Sequence, residues 1–290
     1  MTAAASMRIA DARVSTLKLA IVGASGKMGR AVVRLAHDLE GAEIVCAIGN
    51  AEVGVDAGEL AGVRRIGVAV TSHMTALASS GADVVIDFSS PLVTASLAEI
   101  AAHAKLAIVS GTTGLDDAAV AALDRASESV AVLWEPNMSV GIHVLGDLVR
   151  RAVLALGPAF DIEIVEAHHA QKIDAPSGTA LRLAKVAQAA RTDATRLVHG
   201  RESRSGGVAA SSATAAAAPA PRQSGEIGMH SMRGGDVIGD HTVHMLGDGE
   251  RLELTHRATS RDVFAHGALR AARWIAARPA GRYALVDVLG

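Results

Sequence analysis

Three side chains able to move protons stand within five residues of one another: His168, His169 and Lys172. Lysine is charged at neutral pH, and histidine titrates close to it. The turn Asp174-Ala-Pro-Ser-Gly-Thr179 follows, and then a helical pattern. Ser177 is a good N-cap type, and the first-turn N–H groups of Gly178 and Thr179 suit an anion. The chemistry this pattern fits is holding an anionic substrate by its carboxylate and donating a proton to it. Taken alone, the segment also fits a capped helix beside two exposed histidines. The pair follows a strand, so His168 and His169 are expected to point in different directions.

A second chemical feature lies far upstream. Gly23-Ala24-Ser25-Gly26-Lys27-Met28-Gly29 follows an apolar run and opens a helical pattern. Glycines in that context allow a tight turn and let backbone approach a pyrophosphate at a helix N-terminus. The dinucleotide fingerprint also expects an acid about 20 residues further on, to hold the ribose of NAD. Gly49 and Asn50 stand there, and Glu52 falls beyond the expected strand end. Lys27 offers a positive charge for a 2′-phosphate. No arginine is evident beside it, so NADPH and NADH both stay open. Gly111-Thr112-Thr113-Gly114 and Glu135-Pro136-Asn137-Met138 follow later strands, at the sheet edge where open α/β folds bind ligands. Together the two features point to a reductase: hydride from a nicotinamide, proton from the enzyme.

Two other patterns are set aside. His241 and His244 have metal-like spacing, but on a strand they face opposite sides, and zinc usually needs a third protein ligand. No metal is expected. Arg201, Glu202 and Arg204 read as a solvated loop.

The elements that must hold these residues alternate. Strands are expected at 17–22, 43–48, 83–88, 106–110 and 130–134, with helices at 27–39, 91–103 and 116–127. This predicts an α/β, Rossmann-type, doubly wound parallel sheet. After Asn137 the pattern changes: helix at 140–156, strand at 160–167, helix at 177–190, then strands at 226–233, 236–246 and 251–258. That is an α+β domain with a mixed sheet. In the strand at 160–167, Ile162 and Ile164 are read against Glu163 and Glu166. A last helix at 261–277 is expected to return to the first domain. The domains are therefore expected at 1–138 with 259–290, for the dinucleotide, and at 139–258, for substrate binding and oligomerisation. Residues 1–16 read as a mobile extension. The Ala/Ser/Pro-rich stretch 203–224 has little to bury and reads as a mobile loop.

Composition narrows the class. Half of the 290 residues are hydrophobic but only 2% are aromatic, so the core must be aliphatic. The formal charge of −2 supplies no basic field for nucleic acid. The one cysteine, Cys46, fits a reducing cytoplasm, and no apolar run reaches membrane-spanning length. The expected location is cytoplasmic.

Several strings resemble the 4-hydroxy-tetrahydrodipicolinate (dihydrodipicolinate) reductase family over about 17–289. They are Gly23–Gly29, Asp56-Ala-Gly-Glu-Leu-Ala-Gly62, Gly111–Gly114, Asn137-x-Ser-Val-Gly141, Arg233-Gly-Gly-Asp236 and, most specifically, Glu166-Ala-His-His-x-x-Lys-x-Asp-Ala-Pro-Ser-Gly-Thr179. The resemblance implies His168 as proton donor/acceptor and Lys172 as second proton donor. It implies His169, Gly178 and Thr179 as holders of a cyclic dicarboxylate. Gly23, Ala24, Ser25, Gly26, Lys27, Met28, Gly111, Thr112, Thr113, Glu135, Pro136, Asn137 and Met138 are implied as contacts of NADPH or NADH. It also implies a homotetramer assembled through the mixed sheet, and a step of lysine/diaminopimelate biosynthesis. The chain departs from the family at Gly49-Asn50, where some members have an acidic-basic pair, and at Ala170 and Gln171, where more basic residues are common. Glu135-Pro136 is atypical, and the Ala/Ser/Pro loop is longer than usual. Two rivals stay open: another nicotinamide enzyme, such as an amino-acid or semialdehyde dehydrogenase, and a non-enzymatic cofactor sensor.

Overall fold

The computed structural model describes residues 16–201 and 221–290. The expected extension at 1–16, apart from Thr16, and most of the 203–224 loop lie outside them, as do Glu202 and Arg204. The chain divides into two compact units. One takes in the chain up to Met138 and Ala265–Gly290, and the other is Ser139–Phe264. The second crossing thus falls inside a helix rather than at residue 259.

The first unit holds β1 (Leu17–Val22), α1 (Lys27–His37), β2 (Ala42–Ile48), α2 (Ala57–Leu60), β3 (Val70–Thr71), β4 (Val84–Asp87), α3 (Pro91–Ala104), β5 (Ala107–Ser110), α4 (Asp117–Ser127) and β6 (Ala131–Trp134). The second unit begins with α5 (Val140–Leu156), β7 (Asp161–His168), α6 (Gly178–Ala190), β8 (Arg196–His199), β9 (Glu226–Arg233), β10 (Gly239–Gly247) and β11 (Glu250–Ala258). Helix α7 (Asp262–Ile275) leads back to β12 (Gly281–Tyr283) and α8 (Leu285–Leu289). The short elements α2, β3, β8, β12 and α8 leave too little periodicity to be read in advance.

The seven strands of the first sheet run β12-β6-β5-β4-β1-β2-β3, and every pairing is parallel. This is the doubly wound order, with its switch point between β1 and β4. Parallel strands are covered on both faces, which accounts for the unbroken burial of β4 and β5. Their core is aliphatic, from Val22, Val85, Leu97, Ile108 and Leu123. Because all strands are parallel, their carboxyl ends share one edge. The residues after β1, β4, β5 and β6 therefore gather there.

The second sheet is mixed, in the order β11-β10-β7-β9-β8. β10 is antiparallel to β11 and β7, and β9 is parallel to β7 and β8. Helices α5 and α6 cover one face, packing Val149 and Leu183 on Ile162, Ile164, Ile227 and Val243. Ser139 caps α5 by accepting from the Ile142 N–H, and Gly157, at φ +69°, ends it before Pro158.

One expectation is corrected in this sheet. Glu166 does not oppose Ile162 and Ile164. Strand period two puts 162, 164, 166 and 168 on the same covered face, where all four are buried. Only Glu163 takes the other face. Arg201 stands on the exposed loop after β8, as expected, and there it is paired with Glu226 (2.9 Å) and Glu163 (3.4 Å). Arg222 is paired with Asp161 (2.8 Å) and also with Glu163. Buried and half-buried carboxylates on the outer face need these cations.

Candidate active site

The carboxyl edge of the parallel sheet is built around glycines and one buried carboxylate. Gly23 has φ +83°, and a Cβ on it would meet the Phe88 carbonyl. A Cβ on Gly29 would strike the Gly23 carbonyl, and one on Gly111 the Phe88 ring. These are the tight turn and the close helix–strand approach that a pyrophosphate loop requires. Gly26 caps α1 without a side-chain bond, and no acid stands in the first turn. Exposed Lys27 opens the helix. The α1 N-terminus thus keeps its positive field for an anion, and the residues present fit a dinucleotide.

Asp87, fully buried at the end of β4, organises this edge. Its carboxylate accepts from the Ser89 N–H (3.0 Å) and the hydroxyls of Ser89 (2.5 Å), Thr94 (2.7 Å), Ser110 (2.8 Å) and Thr112 (2.9 Å). Trp134 Nε1 donates to the Thr112 carbonyl (2.9 Å), and the Glu135 N–H donates to Ser110 (3.0 Å). The carboxylate thus ties the loop after β4 and the start of α3 to the end of β5, and the Trp134 and Glu135 bonds join the end of β6 to the same loop. Gly23, Ser25, Gly26, Lys27 and Met28 keep solvent exposure, as do Thr113, Pro136 and Asn137. Ala24, Gly111, Thr112, Glu135 and Met138 are buried. The Thr112 hydroxyl turns inward to Asp87, so its side chain braces the loop instead of facing a ligand.

The second site lies in the connection from β7 to α6. His168 ends β7, and its Nδ1 is 2.5 Å from Glu166 Oε2. Arg233 grips Glu166 with both terminal nitrogens, each at 2.8 Å, and the Ser177 N–H donates to the same carboxylate (3.1 Å). Burial alone would push Glu166 up. The hydrogen bonds from Arg233, His168, Ser231 and the Ser177 backbone instead bring it down to about 2. Glu166 is therefore a carboxylate and can only accept, so Nδ1 of His168 must carry the hydrogen. Burial pushes the His168 pKa below 6.5, against the pull of Glu166 and with help from Lys172 and Arg233. At neutral pH the ring is uncharged, and Nε2 presents a lone pair.

Lys172 lies on the turn after His168, with its backbone N–H on the His169 carbonyl (3.1 Å) and its ammonium on Asp174 (2.7 Å). That hydrogen bond, from Lys172, lowers the Asp174 pKa. Arg233 also donates to the Asp174 carbonyl (2.7 Å), so one guanidinium fixes both the buried acid and the turn. Ser177 caps α6 by accepting from the Ala180 N–H (3.2 Å). Gly178 is exposed, while His169 and Thr179 are half-buried beside it. All five predicted substrate-side residues thus fall on one short connection.

Sheet register adds residues that sequence reasoning missed. Glu166 is paired with Ser231 on β9 and with His241 on β10, and His241 with His256 on β11. His168 is paired with Arg233. His241, set aside above as half of a false metal pair, is buried. Its Nε2 is 3.0 Å from Ser177 Oγ, and its ring meets His168 edge-on at 5.2 Å. Burial, then repulsion from His168 once that ring takes a proton, lowers its pKa to about 4. His244 faces the other side, as period two requires. The one usable signal for Glu166 and Arg233 was their place in recurring strings. Nothing local marked His241. Among the described residues, no group of three or more His, Cys, Asp or Glu side chains could hold a metal ion.

A doubly wound sheet with a glycine loop, joined to a mixed-sheet unit that holds a buried His–Glu pair beside a lysine, defines a Rossmann-type nicotinamide oxidoreductase. Comparison narrows this. The family model described as dihydrodipicolinate reductase, N-terminus, matches 17–138, and that described as dihydrodipicolinate reductase, C-terminus, matches 141–289. The chain is 45% identical over 280 residues to the 4-hydroxy-tetrahydrodipicolinate reductase of Alkalilimnicola ehrlichii, covering 95% of this chain and 99% of that one. It is 46% identical over 277 residues to the enzyme of that name from an Anaeromyxobacter species, covering 94% and 98%. Among solved structures, a dipicolinate-bound dihydrodipicolinate reductase from Paenisporosarcina superposes with TM-score 0.71 at 23% identity, covering 93% and 97%. An amine dehydrogenase from Mycobacterium smegmatis reaches 0.62 at 16%, covering 93% and 95%. Both likenesses speak for the fold. The chain belongs to the dihydrodipicolinate reductase family.

Proposed function

We propose that this protein reduces 4-hydroxy-tetrahydrodipicolinate (dihydrodipicolinate) to tetrahydrodipicolinate in lysine/diaminopimelate biosynthesis, with NADPH or NADH as reductant. The observation that carries this reading is the Glu166-backed His168 beside Lys172, at the capped N-terminus of α6. Bound at the glycine loop, the nicotinamide supplies hydride to the substrate ring. Gly23 to Met28, Gly111, Thr113 and Glu135 to Met138 are its proposed contacts. The remaining work belongs to this chain's own side chains. The first turn of α6, with Gly178 and Thr179, attracts a ring carboxylate, and His169 stands beside it. Lys172 is the second proton donor in this reading, held on the turn by Asp174. Glu166 keeps the Nδ1 hydrogen of His168 in place, so Nε2 is the nitrogen that receives or returns a proton on the ring. Loss of water from the hydroxylated ring accompanies reduction, so the balance is substrate, reduced cofactor and one proton to product, oxidised cofactor and water.

Family resemblance further supports a homotetramer, to be weighed by light scattering, and a cytoplasmic location, with which the free, buried Cys46 agrees. Among the described residues no helix is long and apolar enough to cross a membrane. The functional test is oxidation of NADPH and NADH with substrate made in situ by a dihydrodipicolinate synthase. Consumption that requires the synthase reaction supports the assignment. A folded protein that binds cofactor yet consumes none would overturn it.

A further inference from the structure

The end of β2 is where a dinucleotide fold chooses between a ribose hydroxyl and a ribose phosphate. This chain has no acid at the usual place, and the structure shows why none fits. A Cβ on Gly49 would collide with the hydroxyl of Ser25 in the glycine loop. That hydroxyl is committed to the Ala51 carbonyl at 2.5 Å. The loop then turns back on itself. Glu52 adopts φ +51°, its carbonyl accepts from the Val55 N–H (3.1 Å), and the Gly54 N–H is held by Val70 (2.8 Å). The effect is to carry an acid back toward the glycine loop from three residues downstream.

The partner waiting there is Arg30 of α1, the arginine that was not evident in the sequence. Its Nε donates to the Ser25 carbonyl (2.9 Å), and its terminal nitrogen meets Glu52 Oε1 at 3.0 Å. Ser25, Arg30 and Glu52 thus form one tied cluster across the glycine loop, α1 and the loop after β2. Arg30 and Glu52 are 39% and 41% exposed, so a ligand can reach both.

We propose that Glu52, held by Arg30, is the cofactor-selecting residue of this chain: its carboxylate accepts the adenosine ribose hydroxyls of NADH and shields Arg30 from the 2′-phosphate of NADPH. A dianionic phosphate at this position meets the Glu52 charge, and Arg30 is already paired. An exposed pair is screened by solvent, so the preference is modest, roughly tenfold, and shrinks as salt rises. Removing the acid reverses the field: Arg30, with Lys27 on the same helix start, then faces the phosphate unopposed.

The proposal rests on the reading of Gly23 to Met28 as the cofactor loop. The test is equilibrium binding of NADPH and NADH to the full-length protein without substrate, followed by nicotinamide fluorescence, for wild type, Glu52→Gln and Glu52→Gln with Arg30→Met. The expected result is tighter NADH binding by wild type. In Glu52→Gln, NADPH should tighten about tenfold while NADH weakens severalfold, and adding Arg30→Met should abolish the NADPH gain. The same ratios should appear in kcat/KM. A wild type that prefers NADPH, or an unchanged NADH/NADPH ratio in folded Glu52→Gln, would overturn the selector and leave the cofactor loop standing. Failure of wild type to bind either dinucleotide would overturn both.

Discussion

His168 and Glu166 lie two residues apart on one buried strand face, with Nδ1 and Oε2 2.5 Å apart. A strand normally makes such neighbours look the same way without touching. Here the strand ends at His168, and its ring is free to fold back on the acid. The consequence is a fixed tautomer, since a charged carboxylate admits only a donor.

Glu166→Gln is therefore expected to cut kcat by about 10- to 100-fold, the usual scale for disturbing a partner behind a working imidazole. The cofactor Kd should not change. A structural role alone would leave the pH–kcat profile in place, whereas loss of the tautomer lock should shift its acidic limb. Steady-state kinetics between pH 5.5 and 9 decide between these outcomes.

Arg233→Met should act mainly on stability. It strips a bidentate partner from a carboxylate that is 1% exposed. Breaking a buried pair from one side costs about 3–5 kcal/mol. A denaturant titration would register that loss, and an unchanged midpoint would mean that Glu166 finds another partner.

Lys172→Ala and His168→Ala are each expected to lower turnover by about 10²- to 10⁴-fold, the range for a lost proton-transfer group. Both should leave NADPH and NADH binding nearly intact. If both variants keep full turnover, the proton-transfer roles are misassigned.

Stability should fall in two stages as the solution is acidified. His241 is held neutral in the fold, with its pKa down at about 4 from 6.5. Its contribution is therefore whole above pH 6.5 and is lost progressively as pH falls to about 4. Glu166 follows. Its pKa is lowered from 4.5 to about 2, so its contribution is present above 4.5 and lost towards pH 2. Chemical denaturation at a series of pH values should show both stages, and His241→Gln should shrink the first, leaving the share of His168 and His256, whose pKa values burial also lowers.

Asp87→Ala should loosen the cofactor edge. It leaves buried hydroxyls of Thr94, Ser110 and Thr112 without their common acceptor, at about 1–3 kcal/mol for each group left unsatisfied. Lower thermal stability together with weaker dinucleotide binding is the expected pair of effects. Stability loss with unchanged binding would show that the loops keep their shape without it.

Consecutive residues were enough for much of this protein. The glycine loop shows itself because strand, turn and helix follow one another from Leu17 to His37, although the clash that Gly23 avoids is with Phe88 on a distant segment. His168, Lys172 and the Ser177 cap are equally local. They share one connection whose N-cap chemistry is written in four letters. The alternation of strands and helices likewise gave the doubly wound sheet, since the hydrophobic period of each element is a property of its own residues. Tertiary structure decided the rest, because it depends on pairing between distant strands. The β7–β9 register sets Arg233 beside His168 across 65 residues, and the β7–β10 register brings His241 to Glu166 across 75. Asp87 gathers hydroxyls from three segments, and Arg30 meets Glu52 only because the loop after β2 doubles back. No periodicity within a single segment encodes such meetings. They follow from which strand lies next to which, and at what offset, once the two cores have closed.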